Sequence, residues 1–404
     1  MDLDYGSRIL EEIQALKEKR RQMEAEGSTK EAPPFLALSD LLDQYYVMNK
    51  IRLFCGFLSY SKFTHPAKLN YDRSAFSLMD EVNKYIDKKS TNTPILKLYH
   101  HIQLLLAYSN EDNFDEEIHF NAAINLLDQL GDTSFPSNSS EALSLLNNYC
   151  IKQYNDGNKG SHRIFEIQNR MFNLTYGLTE KWPATIPPAL YKNMVVLALR
   201  LKEKINFKEI YTVRLKSEDQ KYGYDSAFEW ANLFIETYNT ALPSKDQKKF
   251  YTFCKAYLAF HKGEFVKAFH ILDHPSHLRG LFIAFDFKVL YLMILMELRL
   301  TQPALIEKNG VDLMKFYDKF RKGIEYEVVK GQQLSYHLAY YQSFLKLFIH
   351  LLRLFNRQGQ LYLHSDIKFQ SELDKLEDNV EKCIYPFKDW FNKKVVILKK
   401  ATSK

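Results

Sequence analysis

The feature that most constrains the fold is a long succession of helical hydrophobic patterns with few residues that interrupt them. From Leu38 onward, apolar residues recur at the three- and four-residue spacing of one helix face, with short breaks between the patterns. The 404 residues include only 14 glycines and 12 prolines, below the average usage of about 7% and 5%. Both residue types interrupt helices, and no stretch shows sustained strand alternation. The sequence therefore predicts an all-α fold.

The two ends of the chain differ in character from the middle. Residues 1–34 read as a charged helix followed by a linker, GSTKEAPP, so this arm either binds a partner or lies loosely against the body. Residues 35–404 are predicted to form one continuous helical array. Its last part, 388–404, is a basic tail, which either contacts an acidic partner or nucleic acid or is a solvated end. The lysines of this tail are Lys388, Lys393, Lys394, Lys399, Lys400 and Lys404.

Residues 253–273 (FCKAYLAFHKGEFVKAFHILD) have the pattern of a helix–turn–helix unit. The small residues Ala256 and Ala268 allow two helices to pack closely, and Gly263 lies in the turn between them, where other residues are disfavoured. This is the arrangement of a tetratricopeptide (TPR) repeat. The spacing predicts antiparallel helix pairs stacked as an α-solenoid, with a charged helix at the N-terminus.

Further units are indicated on both sides of this one. Ala231 and Ala304 lie 37 and 36 residues from Ala268, close to the TPR period of about 34 residues. The clearest TPR-like units cover about 188–324. Two departures weaken a strict repeat: Arg299 stands where the third unit needs its turn glycine, and residues 204–224 interrupt the unit that contains Ala231.

At several segments the chain resembles uncharacterised bacterial tetratricopeptide-like helical repeat proteins. The resemblance covers most of the chain after residue 35, and the insertion at 204–224 is a departure from it. It implies an all-helical cytosolic protein and no established activity. The segments that carry it are LLDQYYVMNKIRLFCGFLSY (41–60), ALSLLNNYCIKQYNDG (142–157), YKNMVVLALRLKE (191–203), FEWANLFIETY (228–238) and FKDWFNKKV (387–395).

The motifs of the common enzyme classes are missing, so we expect no catalytic residue, no metal and no cofactor. The glycine-containing loop 157–161 follows a helix, whereas a true phosphate loop follows a strand. Glu116 and His119 have the spacing of a di-iron ligand pair, but such a site needs two pairs and further glutamates. His270 and His274 lack the third ligand that zinc requires. We interpret these residues as ordinary polar side chains.

The sequence also predicts a cytoplasmic protein that does not enter the membrane. The N-terminus has no basic and apolar leader. The apolar run from Val289 to Met296 is far shorter than the about 20 residues of a membrane span, so we expect a buried core helix. The four cysteines are far apart, which is typical of small buried residues in a reducing compartment.

Two functions remain open at this stage. The first is a non-catalytic scaffold or adaptor that binds a protein or peptide along the concave face of the array. The alternative to that surface is that neighbouring helices cover it. The second function is a nucleic-acid-binding helical repeat protein, favoured by the lysine tail and by an isoelectric point of about 8.8. The repeat register places on the concave face Phe253, Tyr257, His261, Val289, Met293 and Glu297.

Overall fold

A computed structural model of the chain describes residues 5–25, 35–63, 79–89, 93–109, 111–134, 136–155, 162–173, 185–207, 226–272, 281–329, 335–358, 367–382 and 387–402. These residues contain helices and no strand, which confirms the all-α prediction. The α-helices are α1 (Tyr5–Ala25), α2 (Phe35–Phe63), α3 (Met79–Lys89), α4 (Pro94–Tyr108), α5 (Glu116–Ser134), α6 (Pro136–Asn155), α7 (Arg163–Phe172), α8 (Pro188–Arg200), α9 (Ala227–Tyr238), α10 (Ser244–His261), α11 (Phe265–Leu272), α12 (Leu281–Thr301), α13 (Pro303–Lys308), α14 (Leu313–Val329), α15 (Ser335–Gln358), α16 (Ile367–Glu381) and α17 (Lys388–Thr402).

The chain divides into two compact units. Unit 1 comprises residues 1–153 and 166–180, and unit 2 comprises 154–165 and 181–404. In unit 1, α2 packs against α1, α3 and α4, while α4 and α5 form a closely packed pair. Polar side chains tie α6 to α2, because Arg52 pairs with Glu141 and Asn148 donates to the Ser59 hydroxyl at 2.8 Å. Helix α2 therefore contacts most of the other helices of unit 1.

Unit 2 is built from helices that pack mainly against their neighbours in the chain. Helices α8, α9 and α10 contact one another, α10 pairs with α11, and α12 packs against α11, α13, α14 and α15. The turn between α10 and α11 contains Gly263 at φ +79°, a conformation that L residues with side chains rarely adopt. Ala256 and Ala268 are fully buried on the two helices that this turn joins. The helix–turn–helix unit predicted at 253–273 is therefore present over its described residues, 253–272.

The prediction for the third unit fails in its second helix. Ala231 is fully buried, as a pair-forming alanine should be, but Ala304 is exposed on α13, which has only six residues. Without a turn glycine at position 299, α12 continues to Thr301, and Pro303 then begins the short α13. The insertion at 204–224 lies mostly outside the described residues, although Phe207 packs against Trp230 with ring centroids 6.1 Å apart.

Helix α12 is a core helix, as the sequence predicted. Every residue from Val289 to Met296 is buried, because α12 is covered on several sides by other helices of unit 2. Among the described residues, no helix combines the length and the apolar character needed to cross a membrane. Cys55, Cys150 and Cys254 are buried free thiols, in line with the sequence prediction, and Cys383 lies outside the described residues.

Candidate functional site

The six residues predicted to line a concave surface lie on two helices that pack together, α10 and α12. Neighbouring helices cover them, which is the second of the two alternatives that the sequence left open. His261 is half-buried. The five buried side chains are Phe253, Tyr257, Val289, Met293 and Glu297.

Glu297 shows which helix covers this face. Its carboxylate accepts a hydrogen bond from the indole Nε1 of Trp390 at 2.7 Å and pairs with Lys394 Nζ at 2.5 Å. Both partners belong to α17, and the charged groups of Glu297 and Lys394 are only 8% and 7% exposed. The last helix of the chain therefore lies on the predicted surface, at least at its Glu297 end.

The described part of the basic C-terminal segment, residues 388–402, is the helix α17, whose apolar side packs in unit 2. Lys394 is buried, Lys388 pairs with Glu381, and Lys399 pairs with Glu377 at 2.6 Å. The apolar residues between the lysines recur at helical spacing and fill the core of unit 2. These buried residues are Phe387, Phe391, Val395 and Leu398.

A second feature of unit 2 is the guanidinium of Arg200 at the end of α8. Its Nε donates to the hydroxyl of Tyr257 at 2.7 Å, and its Nη1 donates to the hydroxyl of Tyr154 at 3.4 Å. Its Cζ lies 5.9 Å from the ring centre of Tyr257 and 5.4 Å from that of Phe387. The structure gives Arg200 no carboxylate partner among the described residues. Its positive charge is thus held by neutral hydroxyls and ring faces.

The surroundings of Arg200 shift the pKa values of its neighbours. Burial would lower the pKa of Arg200, but the two tyrosine hydroxyls outweigh it and raise that pKa. Burial raises the pKa of Tyr257 to about 12, against the opposing effect of Arg200. His261, whose ring centre lies 4.6 Å from that of Tyr257, has its pKa lowered to about 3. Burial is the main cause, and the charges of Arg200, Lys202 and Lys393 add to it. His261 is therefore neutral at physiological pH, in a region of positive potential.

Two further lysines lie over one aromatic ring at the same helix ends. The Nζ atoms of Lys202 and Lys262 are 4.6 and 6.0 Å from the ring centre of Phe228. Neither lysine forms an ion pair within the described part of the chain. We call Arg200, Lys202, His261, Lys262 and Lys393 the cationic cluster. Because these positions are spread over nearly two hundred residues of sequence, no sequence motif predicted the cationic cluster.

Unit 1 carries an exposed apolar face on α2. Leu53 is 69% exposed, Tyr60 52%, and Leu42 and Tyr46 47% each. These positions, with Asn49 and exposed Gly56, follow the alternating four- and three-residue spacing of one helix seam. The opposite face of α2 is buried in unit 1, so α2 is apolar on both sides. The low polarity of segment 41–60 was the sequence signal for this seam.

His101 and His119 meet between α4 and α5. Their Nδ1 atoms are 3.0 Å apart, and the ring of Phe114 stacks on His119 at 4.9 Å. Burial and neighbouring positive charges lower the pKa of His101 to about 4. Glu116, which has the spacing of a ligand pair with His119, instead accepts a hydrogen bond from the Tyr149 hydroxyl at 2.7 Å. In the described residues no group of three or more His, Cys, Asp or Glu side chains is placed to hold a metal.

Two of the sequence motifs considered above fall in parts of the chain that the structure does not describe. The loop 157–161 and the segment with His274 and His277 lie outside the described residues. Comparison with known proteins adds no further constraint, since no family model, curated protein or solved structure matches the chain.

Proposed function

We propose that the chain is a non-catalytic, cytoplasmic interaction scaffold that holds an amphipathic helix of a partner protein along the exposed seam of α2. We call the seam residues Leu42, Tyr46, Asn49, Leu53, Gly56 and Tyr60 the α2 seam. In this proposal the helices of unit 1 that pack on the opposite face of α2 are the rigid support. The exposure of large apolar side chains at regular helical spacing is the observation that carries it.

The number and order of the exposed side chains favour a binding surface. Single exposed apolar residues are common on any protein surface, whereas several large apolar side chains in one row are typical of an interaction site. Positions 42 to 60 extend over five turns, and at about 1.5 Å per residue the α2 seam is about 27 Å long. A stripe of this length matches one face of a partner segment rather than a small ligand.

The spacing of the α2 seam favours a helix as the occupant. Alternating steps of four and three residues keep the apolar positions in line with a second helix that crosses at a small angle. Gly56 leaves open space in the stripe, because a Cβ placed there meets no atom within 4 Å. A partner helix can therefore approach the backbone of α2 closely at this position. An extended strand or a flat surface gains nothing from the same periodicity.

The nucleic-acid alternative has less support. Binding to nucleic-acid phosphates needs cations that are not already paired with carboxylates of the protein. Lys388, Lys394 and Lys399 are each paired with a carboxylate of unit 2. Three of the six lysines that suggested nucleic acid are therefore neutralised in the fold.

Site-specific photo-crosslinking tests the proposal. p-Benzoylphenylalanine is placed at position 46 or 53 of the full chain, and at position 329 as a control, where Val329 is 85% exposed in unit 2. The chain is irradiated in its native cells and the crosslinked peptides are identified by mass spectrometry. We expect positions 46 and 53 to label one segment of one partner protein, at residues separated by three, four or seven positions.

The partner segment is then synthesised and its affinity measured for the purified chain. We expect Leu53→Glu to weaken binding at least about tenfold, because it places a charge in the apolar contact, while Val329→Glu leaves it unchanged. Crosslinks confined to the chain itself or to a second copy, or equal yields at positions 53 and 329, would refute the proposal.

A further inference from the structure

We propose that the cationic cluster of unit 2 is a binding site for a phosphate group, either free phosphate or a phosphate monoester. The site is separate from the α2 seam and involves no residue of it. It consists of the C-terminal ends of α8 and α10, the residues just after α8, and Lys393 of α17.

The first argument is the unbalanced charge of the cluster. Arg200, Lys202, Lys262 and Lys393 form no ion pair with any described residue. Glu264 lies close enough to Lys262 to interact with it, although its ion pair is with Lys267. Asp286, which acts on Tyr257, is paired with Lys192 and accepts a hydrogen bond from Tyr341. Arg200, Lys202 and Lys393 have no such counter-charge, and a bound anion reduces the repulsion between them.

The second argument is the way Arg200 is held. Its Nε is fixed on the Tyr257 hydroxyl, and the ring of Phe387 lies 5.4 Å from its Cζ. A guanidinium carries five N–H donors. The two tyrosine hydroxyls take one donor each, so three of the five donors have no partner among the described residues. An oriented guanidinium edge of this kind suits two oxygens of one anion.

The third argument is the choice of phosphate over a single carboxylate. Three cations, Arg200, Lys202 and Lys393, act together on His261. A monovalent carboxylate leaves most of this charge uncompensated, whereas phosphate brings up to two negative charges and several acceptor oxygens. The neutral imidazole of His261 supplies one N–H donor or accepts a proton once the anion is bound.

Calorimetric titration of the full chain tests the site with defined probes. The titrants are inorganic phosphate, glycerol 2-phosphate and acetate, all at one ionic strength maintained with sodium chloride. We expect saturable binding of phosphate, of the monoester, or of both, and no binding of acetate. Binding of the monoester alone identifies an organic phosphate as the ligand, and binding of both leaves free phosphate as sufficient. No saturable heat with either phosphate probe would overturn the proposal.

Two variants connect the binding to the cluster. Lys202→Met keeps a side chain of similar length beside Phe228 but removes the charge, and we expect it to weaken phosphate binding about tenfold. Arg200→Lys keeps a charge but loses the two-pronged edge, with a similar or larger loss. Lys308→Met removes one exposed charge on α13 and serves as the control. Equal affinity of Lys202→Met and Lys308→Met would show that the ion binds elsewhere.

The protonation of His261 gives an independent readout that does not depend on a variant. We expect the pKa of His261, followed by NMR, to rise by at least about one unit when phosphate is added, because the anion compensates the charges of Arg200, Lys202 and Lys393. The carboxylates Asp286 and Asp389 act on the neighbouring Tyr257 and Tyr154 and are present in both states. The same His261 titration with and without saturating phosphate would overturn the proposal.

Discussion

The indole N–H of Trp390 donates to the carboxylate of Glu297 at 2.7 Å, across 93 residues of sequence. Lys394, one helical turn after Trp390, pairs with the same carboxylate, and both charged groups are almost inaccessible to solvent. A carboxylate withdrawn from water is stable only where donors replace its hydration. This three-residue contact therefore fixes the position of α17 on α12 within unit 2.

Breaking this contact from one side should be strongly destabilising. We expect Glu297→Gln to lower the free energy of unfolding of unit 2 by about 3–5 kcal/mol, because the charge of Lys394 is then left buried without a partner. Adding Lys394→Met to that variant removes the unpaired charge, and we expect part of the stability to return. Chemical unfolding of wild type, both single variants and the double variant measures this, and strictly additive effects would contradict the coupling.

Much of the helical architecture was accessible from the sequence, because helix periodicity and helix breakers act locally. The buried α12 and the α10–α11 unit with Ala256, Gly263 and Ala268 were predicted correctly. The covering of Glu297 by α17 was not, because an amphipathic pattern shows that a face is buried but not which helix buries it. The lysines of α17 made its apolar stripe hard to recognise, because the glutamates that pair with Lys394 and Lys399 belong to other helices.

The residues of the candidate sites could not be grouped from the sequence, because a sequence pattern does not show which helices contact one another. Arg200, His261 and Lys393 come together only in the folded unit, and no spacing in the sequence indicated that His101 meets His119. Each of these contacts depends on how helices are placed against one another, and a spacing rule within one helix cannot supply that information.

The His101–His119 contact predicts a specific pH dependence of unit 1. The pKa of His101 is lowered to about 4 by burial and by His119, His100 and Lys97, and burial lowers that of His119 against the effect of Asp115. For comparison, an unfolded histidine titrates near pH 6.5. A lowered histidine pKa means that the folded state loses stability as pH falls from about 6.5 towards 4, since the unfolded chain binds the proton more readily.

Replacing His101 should remove part of this pH dependence. We expect the unfolding free energy of His101→Asn to fall by about 1–2 kcal/mol less than that of wild type between pH 7.5 and pH 5, after allowance for solvent screening of this half-exposed pair. The carboxylates that titrate at low pH are the same in both proteins, so the difference comes from His101 and its contact with His119. Parallel pH profiles of the two proteins would contradict the prediction.

The α2 seam predicts two different responses to the same substitution on one helix. Leu53 is 69% exposed and Leu58 is 1% exposed. We expect Leu58→Ala to lower the unfolding free energy of unit 1 by about 2–5 kcal/mol, because it leaves a cavity. Leu53→Ala should change it by less than about 0.5 kcal/mol. Thermal and chemical unfolding of both variants checks this, and a comparable loss for Leu53→Ala would mean that the seam already has a partner within the chain.

Two glycines offer a matched test of backbone conformation, because the same change to alanine should have opposite signs. Gly263 has φ +79° in the α10–α11 turn, whereas Gly56 lies inside α2 with open space where a Cβ would be. We expect Gly263→Ala to destabilise unit 2 by about 1–2 kcal/mol, because an L side chain is strained at positive φ. Gly56→Ala should stabilise unit 1 by about 0.5–1 kcal/mol, since alanine loses less conformational freedom in a helix. Circular dichroism during denaturant unfolding measures both. If Gly56→Ala also weakens binding of the partner segment without loss of stability, the added methyl group obstructs a helix that approaches closely at Gly56, as the proposed scaffold requires.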